Sequence, residues 1–175
     1  NGLVVQRKGS AVYTMSVQGV GAHAGNNPKG GRSAVLEIAH KVIDIQNATD
    51  WEQGTTFNVG LIQGGTVVNA VPDTASIQID VRYLQPEYIE DIQQTLQQIA
   101  AKQYVPDTKT TLQKVAGFAP MKRTEATEML FETVKETYEE MGLPKPHAMM
   151  VGGGSDSAYT VLAGVPTICA MGVKG

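Results

Sequence analysis

Residues 55–84 read TTFNVGLIQGGTVVNAVPDTASIQIDVRYL. Thr55 to Gln63 and Thr74 to Leu84 both alternate apolar and polar side chains, the two-residue period of a strand with one buried face. Gly64-Gly65 and the turn-like Asn69-Ala70-Val71-Pro72-Asp73 join them. In the second strand Ile77, Ile79 and Val81 share one face, and Gln78, Asp80 and Arg82 share the other. Upstream, Arg32 to Gln46 sets Ala34, Val35, Ile38, Ala39, Val42 and Ile45 at three-to-four spacing. This predicts an amphipathic helix entered after Pro28. Before it, Ser10 to Val20 alternates Ala11, Tyr13, Met15 and Val17 with polar partners, as a strand does. Downstream, Pro86 starts a second helix with Ile89, Ile92, Leu96, Ile99 and Ala100 on one face, and Thr108 to Val115 returns as a strand. The order βαββαβ predicts an α+β, ferredoxin-like domain over residues 10–116: a four-stranded antiparallel sheet with two helices on one face.

Beyond Gly117-Phe118-Ala119-Pro120 the pattern changes. It predicts a helix near Glu125 to Met141, a short strand near Ala148 to Val151, a helix from Ser155 to Ala163 and an apolar strand from Val165 to Met171. These are too few elements for a closed sheet, so the second piece reads as part of a larger α/β domain. The opening Asn1-Gly2, with no Met and no signal region, reads as the middle of a longer sequence.

The whole chain of 175 residues is long enough to bury a core without disulfide staples. Lys and Arg number 14 against 17 Asp and Glu, a formal charge of −3, and the cations are scattered singly. That pattern provides no footprint for nucleic acid or for an anionic membrane surface. No apolar run approaches the ~20 residues of a bilayer span. Cys169, the single cysteine, lies in the apolar run and is expected to be a buried free thiol.

His40 and His147 have no ligand-like neighbour at helical spacing and read as structural. His23 differs: in Gly21-Ala22-His23-Ala24-Gly25, at a strand end, neither packing nor periodicity asks for an imidazole, and the glycines let a ligand approach. Asn69 reads equally well as a turn residue or as a binding amide. Arg82 either pairs with Asp80 on the polar strand face or offers its guanidinium fork to a carboxylate. Gly152-Gly153-Gly154-Ser155-Asp156 removes three Cβ atoms between a strand and a helix, where backbone N–H groups can meet an anion. It lacks the ending of a phosphate loop, and Ser155 has neither the elbow context nor a base. With no His-x-Asp and no Cys/His cluster, the chain by itself is not expected to hold a catalytic metal.

Gly19-Val20-Gly21-Ala22-His23-Ala24-Gly25, Asn58-Val59-Gly60, Gly64-Gly65, Val68-Asn69-Ala70-Val71-Pro72, Asp80-Val81-Arg82, Gly152-Gly153-Gly154-Ser155-Asp156 and Gly164-Val165-Pro166-Thr167, in that order, resemble the M20 metallopeptidase family. The resemblance is nearest its carboxypeptidase G2 / glutamate carboxypeptidase type and covers essentially the whole chain. It implies an α/β catalytic domain with two zinc ions and an inserted ferredoxin-like lid through which two copies form a homodimer. Residues 1–9 would then be the end of the catalytic domain and a linker, 10–116 the lid and dimerisation domain, and 117–175 an incomplete C-terminal segment of the catalytic domain. The zinc ligands are implied to lie before Asn1 and just after Gly175. His23 matches the lid histidine that stabilises the oxyanion in the partner subunit. Asn69 and Arg82 match positions that bind the substrate carboxylate, and Gly152, Gly153 and Gly154 match the pocket-lining loop. The implied activity is hydrolysis of a C-terminal peptide bond or of an N-acyl amino acid amide in the cytoplasm, with this piece inactive alone. Gly117-Phe118-Ala119-Pro120 departs from glutamate-releasing relatives, which carry a basic residue there, so the resemblance does not extend to an acidic substrate side chain. A stand-alone ferredoxin-like dimerisation or small-molecule-binding module is the competing expectation. The lid's edge strand and first helix are the expected dimer surface.

Overall fold

The computed structural model describes residues 2–172; the last three residues of the expected 117–175 segment, and Asn1, lie outside them. The chain forms two compact units. One is Ala11–Val81 with Glu87–Ala116, and the other is Asn1–Ser10, Arg82–Pro86 and Gly117–Gly175.

In the first unit the strand β2 (Gly9–Gln18), which begins just before it, leads to β3 (Ala22–His23), a 3-10 turn (Pro28–Gly30) and helix α1 (Ala34–Asn47). There follow β4 (Thr56–Gly64), β5 (Ala70–Val71), β6 (Thr74–Tyr83), helix α2 (Tyr88–Ala101) and β7 (Lys109–Phe118). The four long strands lie in the order β4-β6-β2-β7. In this order the second and third strands of the βαββαβ series are neighbours, and so are the first and third. That is the α+β, ferredoxin-like arrangement read from the sequence. Ala11, Tyr13, Met15 and Val17 of β2 and Ala75, Ile77, Ile79 and Val81 of β6 are buried, as the alternation demands. Ser33 caps α1, its Oγ accepting from Leu36 N at 3.1 Å.

Two details of this unit depart from the sequence reading. The segment Asn69 to Asp73 is not merely a turn, because Ala70–Val71 forms β5 and pairs antiparallel with β3, Ala22 against Val71 and His23 against Ala70. Val71 precedes Pro72, which biases it to the extended conformation. In α1, Val35, Ala39 and Val42 are only half-buried, whereas Glu37 and Lys41 are fully buried. Lys41 Nζ contacts Glu37 Oε1 at 3.0 Å and donates to the carbonyls of Ile99, Ala100 and Lys102. Glu37 Oε2 accepts from Tyr104 N at 2.8 Å and Val105 N at 2.6 Å.

The second unit contains a strand the sequence reading misses. β1 (Gly2–Arg7) pairs in parallel with β8 (His147–Val151), with a bulge between Val4 and Gln6. Helix α3 (Glu125–Glu140), capped by Thr124, packs Phe131 and Val134 against Leu3, Val5, Ala148 and Ile168. The expected strand from Val165 to Met171 is reduced to one antiparallel bridge between Val4 and Cys169. Pro166 offers no N–H, and Ala170 sits at φ 64°, so the segment cannot extend a ladder. Cys169 is half-buried rather than buried. The last helix, α4 (Ser157–Leu162), starts later than expected. Among the described residues no helix is long and apolar enough to cross a membrane.

Candidate functional site

Inside the first unit the backbone sets His23 and Asn69 at neighbouring positions of one ladder. The β3–β5 ladder sets His23 opposite Ala70, and Ala24 N donates to Asn69 O at 2.9 Å, so the two candidates occupy adjacent rungs. The base of this loop is closed by Gly19 N to Asp73 O at 2.7 Å, by the paired bonds of Val20 with Arg32, and by Ala34 N to Pro72 O at 2.8 Å. Both side chains are exposed. His23 Nδ1 accepts from Gly25 N and Asn26 N, each at 3.1 Å. A ring nitrogen that accepts two N–H groups does not carry the proton, so the neutral imidazole is the Nε2–H tautomer. Nε2 and the Asn69 amide have no hydrogen-bond partner among the described residues. The loop thus presents one fixed N–H donor, on His23 Nε2.

Arg82 and the glycine loop are brought together in the second unit. Arg82 Nη1 donates to Gly152 O at 3.4 Å. Arg7, which the sequence reading passes over, donates from Nη1 to Gly153 O at 3.1 Å. Phe118 lies under Gly154, and a Cβ there would stand 3.3 Å from it. Tyr83 Oη donates to Phe118 O at 3.2 Å, and burial, then the nearby Tyr159 phenol, pushes Tyr83 above the usual tyrosine range, so it remains a neutral donor. Helix α4 has only six residues; at its entry Ser155 Oγ accepts from Ser157 N at 3.4 Å, and Asp156 at the N-cap position makes no side-chain capping bond.

Among the described residues no group of three or more His, Cys, Asp or Glu side chains could hold a metal ion, so these residues do not fit a zinc centre. A concavity of about 680 Å³ lies elsewhere, lined by Ser16, Gln18, Gln63, Ser76 and Thr111, and includes none of the candidates.

A family model described as a peptidase dimerisation domain (M20_dimer) matches residues 5–108. Carboxypeptidase G2 of Pseudomonas sp. (strain RS-16) is 28% identical over 167 residues, 95% of this chain and 40% of that protein. Among solved structures, aminopeptidase PepT from Bacillus cereus superposes with a TM-score of 0.71 at 28% identity, over 95% of this chain and 44% of that one. A tripeptidase from Staphylococcus aureus gives a TM-score of 0.72 at 23% identity, over the same shares. The chain therefore spans less than half the length of the proteins it is similar to.

Proposed function

This chain belongs to the M20 peptidase family through its dimerisation domain, and from that premise we propose that it supplies the dimerisation lid and part of the catalytic domain of an amide-cleaving hydrolase. Residues 10–116 are the lid, and residues 1–9 and 117–175 belong to the catalytic domain. The substrate is a peptide losing its C-terminal amino acid, or an N-acyl amino acid, and the working form is a homodimer. Asn69 and Arg82 bind the free carboxylate, the guanidinium by parallel N–H bonds and the amide by its NH₂. Gly152, Gly153 and Gly154 line the pocket with backbone rather than side chain. His23 reaches the partner subunit's site, where the scissile carbonyl oxygen gains negative charge as the carbon becomes tetrahedral. A donor already aimed at that oxygen stabilises the charge without reorganising. Two zinc ions, implied by the family resemblance, find no ligand set among the described residues and would be held by residues outside this chain. The chain alone is then inactive.

The observation that carries this reading is the pair of N–H groups on His23 Nδ1, which leaves Nε2 as the donor in an exposed position. In the complete dimeric protein, His23→Ala is expected to lower kcat by about 10²–10³-fold, the usual loss for one oxyanion donor. KM should move little, because the interaction forms only as charge develops. Unchanged kcat would remove the oxyanion role.

A further inference from the structure

We propose that Val68 selects the side chain of the amino acid that the substrate releases, and that this side chain is aliphatic. The inference rests on the reading given above in which Asn69 binds the free carboxylate. Ala70 N donates to Val67 O at 3.4 Å, which closes a β-turn with Val68 and Asn69 as its two central residues. Both side chains are exposed, that of Val68 fully. The turn is tied down on both sides, by Gly65 N to Thr74 O at 3.3 Å and by Ala24 N to Asn69 O at 2.9 Å. In an α-amino acid the carboxylate and the side chain are bonded to one carbon. The two Cα atoms at the centre of the turn stand about 3.8 Å apart across a trans peptide. A carboxylate held by the Asn69 amide therefore brings the side chain beside it within reach of Val68.

Three observations set the chemistry of that side chain. An asparagine suits a central turn position, whereas a β-branched residue is at home in a strand, so the local structure gives no reason for Val68. Packing gives none either, because an apolar side chain left in water contributes no burial free energy. Contact with an apolar ligand group does, and the restricted χ1 of valine means that little rotamer freedom is lost in making it. Finally, Gly64-Gly65-Thr66-Val67-Val68-Asn69-Ala70-Val71-Pro72 carries no charged residue, so nothing along it would compensate an acidic or basic side chain drawn out of water.

The test uses the complete protein with N-benzoyl derivatives and alanyl dipeptides of leucine, glycine and glutamate, reading kcat/KM for each. The unaltered protein should favour leucine over the other two. Val68→Thr keeps the shape and adds a hydroxyl, and should lower the leucine-to-glycine ratio about tenfold, the order for burying one hydroxyl without a partner. Val68→Lys should raise glutamate relative to leucine, because its ammonium meets the side-chain carboxylate. The position is fully exposed, so both variants should keep the fold, which thermal unfolding checks. Ratios that neither variant moves, equal losses on all three amino acids, or a preference of the unaltered protein for glutamate overturn the role of Val68 while the carboxylate reading stands. That reading is scored separately: Asn69→Ala should raise KM about tenfold for the leucine compounds and not for their carboxamides, the order of one hydrogen bond to a charged group. If the unaltered protein turns over carboxylate and carboxamide equally, or neither series, both readings fall.

Discussion

Lys41 keeps its ammonium where the side chain has no exposed surface, and four oxygens surround it: Glu37 Oε1 and the carbonyls of Ile99, Ala100 and Lys102. Three of these are carbonyls at the end of α2, which an α-helix leaves without intrahelical partners, and a cation is favoured there. Glu37, one helical turn earlier, holds the N–H groups of Tyr104 and Val105, so the pair ties α1 to the α2–β7 connection. Removing one member leaves the other charge buried and uncompensated. Lys41→Met is expected to destabilise the protein by about 3–5 kcal/mol in urea unfolding, and the double change Glu37→Leu with Lys41→Met should recover part of that. Simple additivity of the two single losses would show that the charges are not coupled. Nearby, Lys102 first and then the Tyr104 hydroxyl hold the Asp44 carboxyl below its usual range, so the exposed rim of the same cluster also stays ionised.

The connection from β2 to β3 sets where His23 stands, and its tolerance to side chains is uneven. A Cβ at Gly19 would lie 2.0 Å from Arg32 O, a backbone atom already bonded to Val20, whereas one at Gly21 would lie 3.7 Å from Asp73, an ordinary contact. Gly19→Ala must therefore push the Val20–Arg32 bridge apart. It is expected to cost about 1–3 kcal/mol and to lower activity by moving His23, while Gly21→Ala should do neither. Equal effects of the two in thermal unfolding and assay would disprove this origin. The elements are unevenly legible in the sequence for physical reasons. β2 and β6 are half-buried, and their alternation is plain. β1 is buried on both faces, so Leu3-Val4-Val5 is a short unbroken apolar run with no period to read. Glu37 and Lys41 escape because a count of apolar residues skips them, although 34, 37, 38, 41 and 45 form one stripe with opposite charges four apart. His23, Asn69 and Arg82 are legible as candidates from residue type in unusual company. The β3–β5 ladder that sets His23 opposite Ala70 is hidden in a segment that looks like a turn. Arg7 carries no motif, and the carbonyl it holds is 146 positions away.

At the scale of the whole molecule, what assembles depends on β4. It is an outer strand of the sheet; Thr49 Oγ1 and Gln46 Oε1 accept the N–H groups of Phe57 and Val59 in its first half, and Leu61 and Ile62 farther along it are 56% and 59% exposed. Helix α1 packs beside it and exposes Leu36 and Ile43. β7, the other outer strand, is a second uncovered edge, exposing Val115. A homodimer built on β4 and α1 would extend the sheet and cover the four apolar side chains together. A lysine on an edge strand blocks such pairing, since its charge would have to be buried against the partner. Leu61→Lys in the complete protein is therefore expected to shift the sedimenting species from dimer to monomer, and Val115→Lys on β7 is expected to leave the dimer intact. The same pair of variants tests where His23 acts. If its Nε2 serves the partner's site, monomeric Leu61→Lys should lose as much kcat as His23→Ala, and combining the two substitutions should add nothing further. A fully active monomer would place the action of His23 within its own subunit, and a Leu61→Lys dimer would move the interface away from β4.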